Sequence, residues 1–308
     1  MKDVGQRGVE VAALKHAVPY LEMFRGKVFV VKIGGAAMGD ARAMASLAEQ
    51  LGVLHHLGVK VVVVHGGGPQ TTALSEALGL EVTLVAGRRV TDERTLEIAT
   101  MVLNGTANTA LLSACRASGL PVVGLSGVDA GLVKARRRPP VDVDGHDQPV
   151  DYGHVGDIVS VDASLLRHLL DGGFLPIVSP ISADERGALL NVNADSVAAA
   201  IARALPAEKL VLLQEAPGLL SNPEDPDSLV SYVDLAGLAR LRAGGSLTKG
   251  MLPKAAAIES AISGGVKRAH LISFKLRDAL LLELFTNEGC GTMVVAELAS
   301  LLPEEQSE

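Results

Sequence analysis

Two stretches constrain this chain more than any other: VVKIGG at Val30–Gly35 and VVVVHGGGPQ at Val61–Gln70. Each is a run of β-branched residues that stops abruptly at glycines. Runs this short and apolar read as strands buried on both faces, and the glycines read as bare-backbone turns at their ends. The segment between them, ARAMASLAEQLGVLHHLG, has helical periodicity, and so does QTTALSEALG after the second turn. A βαβα opening of this kind predicts an α/β fold around a largely parallel sheet. In such a sheet the turns collect at the C-terminal edge, where ligands bind.

The rest of the chain continues the pattern with one interruption. Residues 88–119 read as helices with Thr91 as their cap, and 131–162, rich in Pro, Gly and Asp, as an exposed hairpin flap. FLPIVSPIS is a further buried strand, NADSVAAAIARALPAEKLVLLQE a helix followed by a strand, and APGLLSNPEDPDSL a long loop. Then come a helix within GGSLTKGMLPKAAAIESAISGG, a strand in KRAHLIS, and a helix, glycine turn and closing strand in LRDALLLELFTNEGCGTMVV. Ahead of all this, Val11, Leu14, Val18 and Leu21 are spaced for a helix that Pro19 should kink. The tail LPEEQSE reads as disordered.

Composition excludes several classes of function. The formal net charge is −7 and aromatic residues are 3% of the 308, with no tryptophan. Neither phosphate-backbone binding nor base stacking is favoured, so no nucleic-acid partner is expected. Two cysteines, Cys115 and Cys290, are too few for a disulfide framework and lack metal-ligand spacing, and no protein-held metal is expected. The N-terminus MKDVGQRGVE has no apolar core of a signal peptide. The longest uncharged run, Ile98–Cys115, is too rich in Asn, Thr and Gly to cross a membrane. A soluble cytoplasmic protein is the expectation.

Three charged residues stand out. Lys32 follows a run buried on both faces, where a lysine is costly unless it is paired or faces a cleft, although a snorkelling lysine would also fit. Lys254 sits where the loop TKGMLPK becomes a helix and reads equally as a first-turn surface lysine. Asp195 opens an alanine-rich helix, the usual place for a cap. HGGG also occurs as an oxyanion hole, but that requires G-x-S-x-G, and GLSGV at Gly124–Val128 ends in valine. Walker A and G-x-G-x-x-G are both absent. Two lysines, an aspartate and two glycine turns suggest phosphoryl transfer, whose catalysis is mostly positioning and charge neutralisation.

The ordered motifs VVKIGGAAM, VVVVHGGGPQ, GRRVTDERTLEIATMVLNG, DYGHVGDIVSVD, NVNADSVAAAIA and LTKGMLPKAAAIESAISGG extend the evidence. With them, the chain from about Val9 to Val295 resembles the amino acid kinase family, and within it the members that phosphorylate N-acetyl-L-glutamate. The resemblance implies a three-layer αβα sandwich with a largely parallel central sheet. It implies an N-terminal kinked helix over 1–26 serving oligomerisation, an N-lobe over 27–180 for the amino-acid substrate, a C-lobe over 181–300 for ATP, and a tail over 301–308. The reaction would be ATP-dependent phosphorylation of the side-chain carboxylate of N-acetyl-L-glutamate in arginine biosynthesis, with Mg²⁺ held mainly by the nucleotide phosphates. Lys32 and Lys254 would stabilise the transition state and Asp195 would organise them. Gly67, Gly68, Arg89 and Asn191 would hold the acetylated substrate. Gly34 and Gly35 would hold phosphates, and Glu215, Thr248, Lys249 and Gly250 would border the nucleotide.

The N-terminal segment and NEGCGTM are similar to those of hexameric, arginine-inhibited members, which implies a homo-oligomer, a trimer of dimers, with an L-arginine site near Glu288 and Gly289. The chain departs from the family pattern at Ala36, at Gln214–Glu215, at Lys249 and at HLISFK. The alternatives are a sister kinase acting on a carrier-linked aminoadipate or glutamate carboxylate, and a non-catalytic arginine-sensing relative.

Overall fold

The computed structural model describes residues 15, 18–143, 145–225, 227–247, 250–286 and 289–300. In chain order the strands are β1 Val28–Ile33, β2 Lys60–His65, β3 Leu84–Val85, β4 Arg88–Arg89, β5 Val122–Ser126, β6 Val133–Arg137 and β7 Gly156–Val161. They continue with β8 Leu175–Ser179, β9 Ile181–Ala183, β10 Leu189–Asn191, β11 Lys209–Gln214, β12 Tyr232–Asp234, β13 Arg268–Ser273 and β14 Thr292–Val295. Eight of them form one sheet in the order β12-β14-β13-β11-β1-β2-β8-β5. Its neighbours are parallel except β13 and β14, which run antiparallel. A second sheet, β10-β9-β6-β7, contains the expected hairpin flap.

Both faces of the main sheet are covered, which is why its strands are apolar at nearly every position. Strand alternation divides β1 between two cores. Val30 packs with the helices Ala194–Ala204 and Leu252–Ser263, while Phe29, Val31 and Ile33 pack with Ala41–His56 and Asn108–Ala117. The same alternation puts Lys32 on the face of Val30. It puts His65 of β2 with Val61 and Val63 on the opposite face.

The strand order departs in opposite directions from β1, towards β2 on one side and β11 on the other. A crevice opens outside the carboxyl ends of strands at such a switch point. The glycines of both opening motifs lie at this edge.

Several expectations are corrected in detail. Asp92, not Thr91, caps the helix Glu93–Thr100, its carboxylate accepting from the Thr95 N–H at 2.8 Å. Thr91 is buried and bridges to Gly153. Both residue types cap well, and only the chain path decides between adjacent candidates. Asn193 caps Ala194–Ala204, so Asp195 in its first turn is free for another partner. The helix after β2 starts at Gly68, with Pro69 in its first turn, rather than at Gln70. A π-helical segment, Met101–Ala107, joins Glu93–Thr100 to Asn108–Ala117. β12 and the helix Leu235–Ala243 were not foreseen. Residues 18–24 are helical; the rest of the expected N-terminal kinked helix, apart from Lys15, and the tail 301–308 lie outside the described residues.

Candidate active site

The two glycine turns touch. A Cβ on Gly35 would lie 2.6 Å from Pro69 Cδ and 3.1 Å from the Gly68 nitrogen, so only bare backbone allows this approach. The Gln70 amide clamps the turns together, Nε2 donating to the Gly35 carbonyl at 2.8 Å. Gly67 is similarly required, because a Cβ there would meet Leu103 Cδ2 at 2.7 Å. Gly34 donates its N–H to the Leu213 carbonyl at 3.2 Å and ties the first turn to β11.

Beside these turns lies a cavity of about 210 Å³. Lys32, Arg89, Asn191 and Asp195 line it together with Gly35 and Gly66–Gly68. Lys32 Nζ is 2.7 Å from Asp195 Oδ1, both groups buried, and Lys254 Nζ is 3.5 Å from Asp195 Oδ2. One carboxylate thus spaces two ammonium groups. Burial alone would raise the Asp195 pKa, but the positive charges of Lys32 and Lys254 outweigh it and hold the carboxyl below the usual range. Asp195 is an anion with one lysine against each oxygen, and its buried Oδ1 meets Lys32 as a charge contact without an aligned hydrogen bond.

Arg89, at the end of β4, donates from Nη2 to Thr72 Oγ1 at 2.6 Å and to the Gly68 carbonyl at 3.1 Å. Its Nη1 is buried and has no hydrogen-bond partner among the described residues. A buried guanidinium nitrogen left open beside a cavity is suited to an anion, with the rest of the fork already oriented. Asn191, at the end of β10, donates from Nδ2 to Thr91 Oγ1 at 3.3 Å. The helix Gly68–Ala77 begins at the cavity, and its first N–H groups have no intrahelical acceptor.

Lys32, Asp195 and Lys254 are therefore one cluster, Gly35, Gly67, Gly68, Arg89 and Asn191 line the cavity beside it, and Gly34 lies outside that lining, where a Cβ would be 3.9 Å from Lys32 Nζ. Gly250 lies one helical turn before Lys254, whose Nζ is 3.5 Å from its carbonyl. Glu215 is exposed just past β11 and paired with Lys275 at 3.1 Å. Thr248, Lys249 and Glu288 lie outside the described residues. Gly289 borders a second cavity with Tyr20, Phe24, Lys209, His270 and Glu283. Among the described residues no cluster of three His, Cys, Asp or Glu side chains could hold a metal ion. None of their helices is long and apolar enough to cross a membrane. Sequence reasoning missed Thr72, which orients Arg89, and Gln70, whose only signal was its place after the glycines.

The model of the amino acid kinase family matches residues 27–273. The chain is 50% identical over 292 residues to an acetylglutamate kinase of Myxococcus xanthus, covering 94% of this chain and 95% of that one. It is 43% identical to an acetylglutamate kinase of Symbiobacterium thermophilum, covering 93% and 97%. An N-acetylglutamate synthase of Neisseria gonorrhoeae, solved with coenzyme A and N-acetyl-glutamate, superposes with a TM-score of 0.81 at 28% identity. That match covers 93% of this chain but only 63% of the synthase.

Proposed function

The chain belongs to the amino acid kinase family, and on that footing we propose that it transfers the γ-phosphoryl group of ATP to the side-chain carboxylate of N-acetyl-L-glutamate. The product is the acyl phosphate N-acetyl-L-glutamyl 5-phosphate, an intermediate of arginine biosynthesis. The observation that carries the reading is the Lys32–Asp195–Lys254 chain, whose buried Lys32–Asp195 pair lines one cavity with the glycine turns and with Arg89, one of whose nitrogens is open.

The chemistry needs no general base. A side-chain carboxylate, with a reference pKa of about 4.3, is already an anion at neutral pH. The obstacle is bringing it against an anionic phosphoryl group. Lys32 and Lys254 supply two positive charges at that point, and Asp195 holds them apart in fixed positions. Gly34 and Gly35 would hold a phosphate through backbone N–H groups, since bare backbone is all that the close approach of the two turns admits beside Lys32. Gly67 and Gly68 offer N–H groups to the substrate, Arg89 takes a carboxylate through its open nitrogen, and Asn191 completes the pocket. Glu215, Thr248, Lys249 and Gly250 border the nucleotide. Mg²⁺, held mainly by the phosphates, would neutralise charge on the transferring group.

The same reading makes 27–180 the substrate lobe and 181–300 the nucleotide lobe, working in the cytoplasm. It includes a homo-oligomer, a trimer of dimers, inhibited by L-arginine near Glu288 and Gly289. The cavity that Gly289 lines with Tyr20 and Phe24 supports the inhibitor site. The test is a coupled ADP-release assay with N-acetylglutamate, glutamate, aspartate and N-acetylaminoadipate, run with and without arginine. Turnover confined to N-acetylglutamate is expected. None at millimolar substrate would refute the activity, and a flat arginine titration would refute the inhibition.

A further inference from the structure

His65, the last residue of β2, is fully buried on the sheet face away from Lys32. Both of its ring nitrogens have partners. Nδ1 lies 2.9 Å from the carbonyl of Gly66, and Nε2 lies 3.1 Å from Asn108 Nδ2. The same Asn108 nitrogen donates to the Ile177 carbonyl at 3.2 Å, so both of its hydrogens are used. An amide nitrogen can only donate, so Nε2 must accept, and the ring proton must be on Nδ1. Nδ1–H then donates to the Gly66 carbonyl.

That bond has a consequence on the far side of the peptide. In a trans peptide the carbonyl and the following N–H point in opposite directions. Holding the Gly66 oxygen towards the imidazole turns the Gly67 N–H away from it, at the turn that lines the cavity. The Gly66 nitrogen is fixed independently, donating to the Ile33 carbonyl at 2.9 Å. The Gly67 carbonyl accepts from the Thr71 N–H and from Thr71 Oγ1, both at 2.9 Å. Asn108 is seated with equal strictness. It opens the helix after the π-helical segment, and a Cβ on Gly124 of β5 would lie 2.3 Å from its Oδ1. π-Helical insertions often mark functional sites. Here the segment also supplies Leu103, which packs on Gly67.

We propose that His65 and Asn108 are positioning residues: a neutral imidazole, locked in its Nδ1–H tautomer by the Asn108 amide, aims the Gly67 N–H at the reacting carboxylate and phosphoryl oxygens. The proposal rests on the kinase reading for the identity of those oxygens. The relay itself stands on geometry alone. Gly124 belongs to it as the residue whose missing side chain leaves room for Asn108.

The test combines a tautomer measurement with kinetics on the full-length protein. Nitrogen-15 NMR of ¹⁵N-histidine-labelled protein should show one imidazole with Nδ1 protonated and Nε2 bare at neutral pH. It would be assigned by its loss in His65→Asn. Asn108→Ala and Gly124→Ala should lower kcat/KM for N-acetylglutamate at least about tenfold, while KM for ATP moves less than about twofold. His65→Asn, which keeps a donor near the Nδ1 position, should retain more activity than His65→Leu. An imidazole protonated on Nε2 would overturn the proposal even if the variants failed to fold. Folded variants with parental kinetics, or with KM for ATP raised about tenfold or more, would overturn it too. If the parent protein did not turn over N-acetylglutamate, the kinase reading would fail while the tautomer measurement still decided the relay.

Discussion

Lys32, at the carboxyl end of β1, and Asp195, in the first turn of Ala194–Ala204, form a buried ion pair at 2.7 Å. The two are far apart in sequence and meet because β1 and that helix pack on one sheet face. Removing one partner of a buried pair leaves an uncompensated charge, at a cost of about 3–5 kcal/mol. Asp195→Ala should therefore destabilise the fold by that order and also abolish most activity. Chemical denaturation and ADP release on the same preparation check both effects. Lys32→Ala should lower kcat by about 10²–10³-fold, as loss of a transition-state donor does. A rate near the parental one would remove Lys32 from the mechanism.

The acid limb of stability follows from the same pair. The Asp195 carboxyl lies below its ordinary value in the folded state, despite burial, because of Lys32 and Lys254. A depressed carboxyl stabilises the fold fully above the unfolded pKa, about 3.9, and that stabilisation is lost as pH falls towards the folded pKa. Denaturation midpoints should decline below about pH 5, and Asp195→Asn should flatten that decline.

Arg89 is held by Thr72 and the Gly68 carbonyl with Nη1 still open. Lysine keeps the charge but not the planar fork. Arg89→Lys should raise KM for N-acetylglutamate about 10–100-fold, the worth of a charged hydrogen bond of about 1.5–3 kcal/mol. KM for ATP should hardly change. Initial-rate kinetics with each substrate varied separates the two.

Gly35 faces Pro69 Cδ across 2.6 Å as measured from an added Cβ. Gly35→Ala must push the two turns apart, at about 1–3 kcal/mol of overpacking. Loss of activity should exceed loss of stability, because both turns border the site. Thermal unfolding compared with kcat measures the ratio.

Neither thiol should be reactive in the folded protein. Burial pushes Cys115 up to about 11. Burial, then the nearby Glu283 carboxylate, pushes Cys290 up to about 12. Since the thiolate is the nucleophile, titration with a disulfide reagent near pH 8 should be slow until denaturant is added. Rapid modification of the native chain would contradict the burial of Cys115.

Legibility followed the range of the interactions. β1 and β2 were visible because β-branched runs ending in glycine are a local signal, and Lys32 was conspicuous because a lysine conflicts with its apolar surroundings. The π-helical segment Met101–Ala107 was not visible, since its hydrogen-bond shift leaves no composition signature. Nor was the short edge strand β12, which forms only because β14 is there to pair with it. Thr91 and Asp92 were interchanged because adjacent capping residues differ only in the path of the backbone.

The sequence by itself determined the alternation of apolar strands and amphipathic helices, and so the α/β class. It also determined the residue types available for chemistry, because those are local properties of a few consecutive side chains. Only the tertiary structure decided that Lys32 faces Asp195 while His65 faces Asn108 on the other side of the sheet. It alone brought the turn at Gly35 against the turn at Gly67–Gly68. Those relationships depend on strand order and on which helix covers which face. Both are set by burying the whole core at once rather than by any one segment.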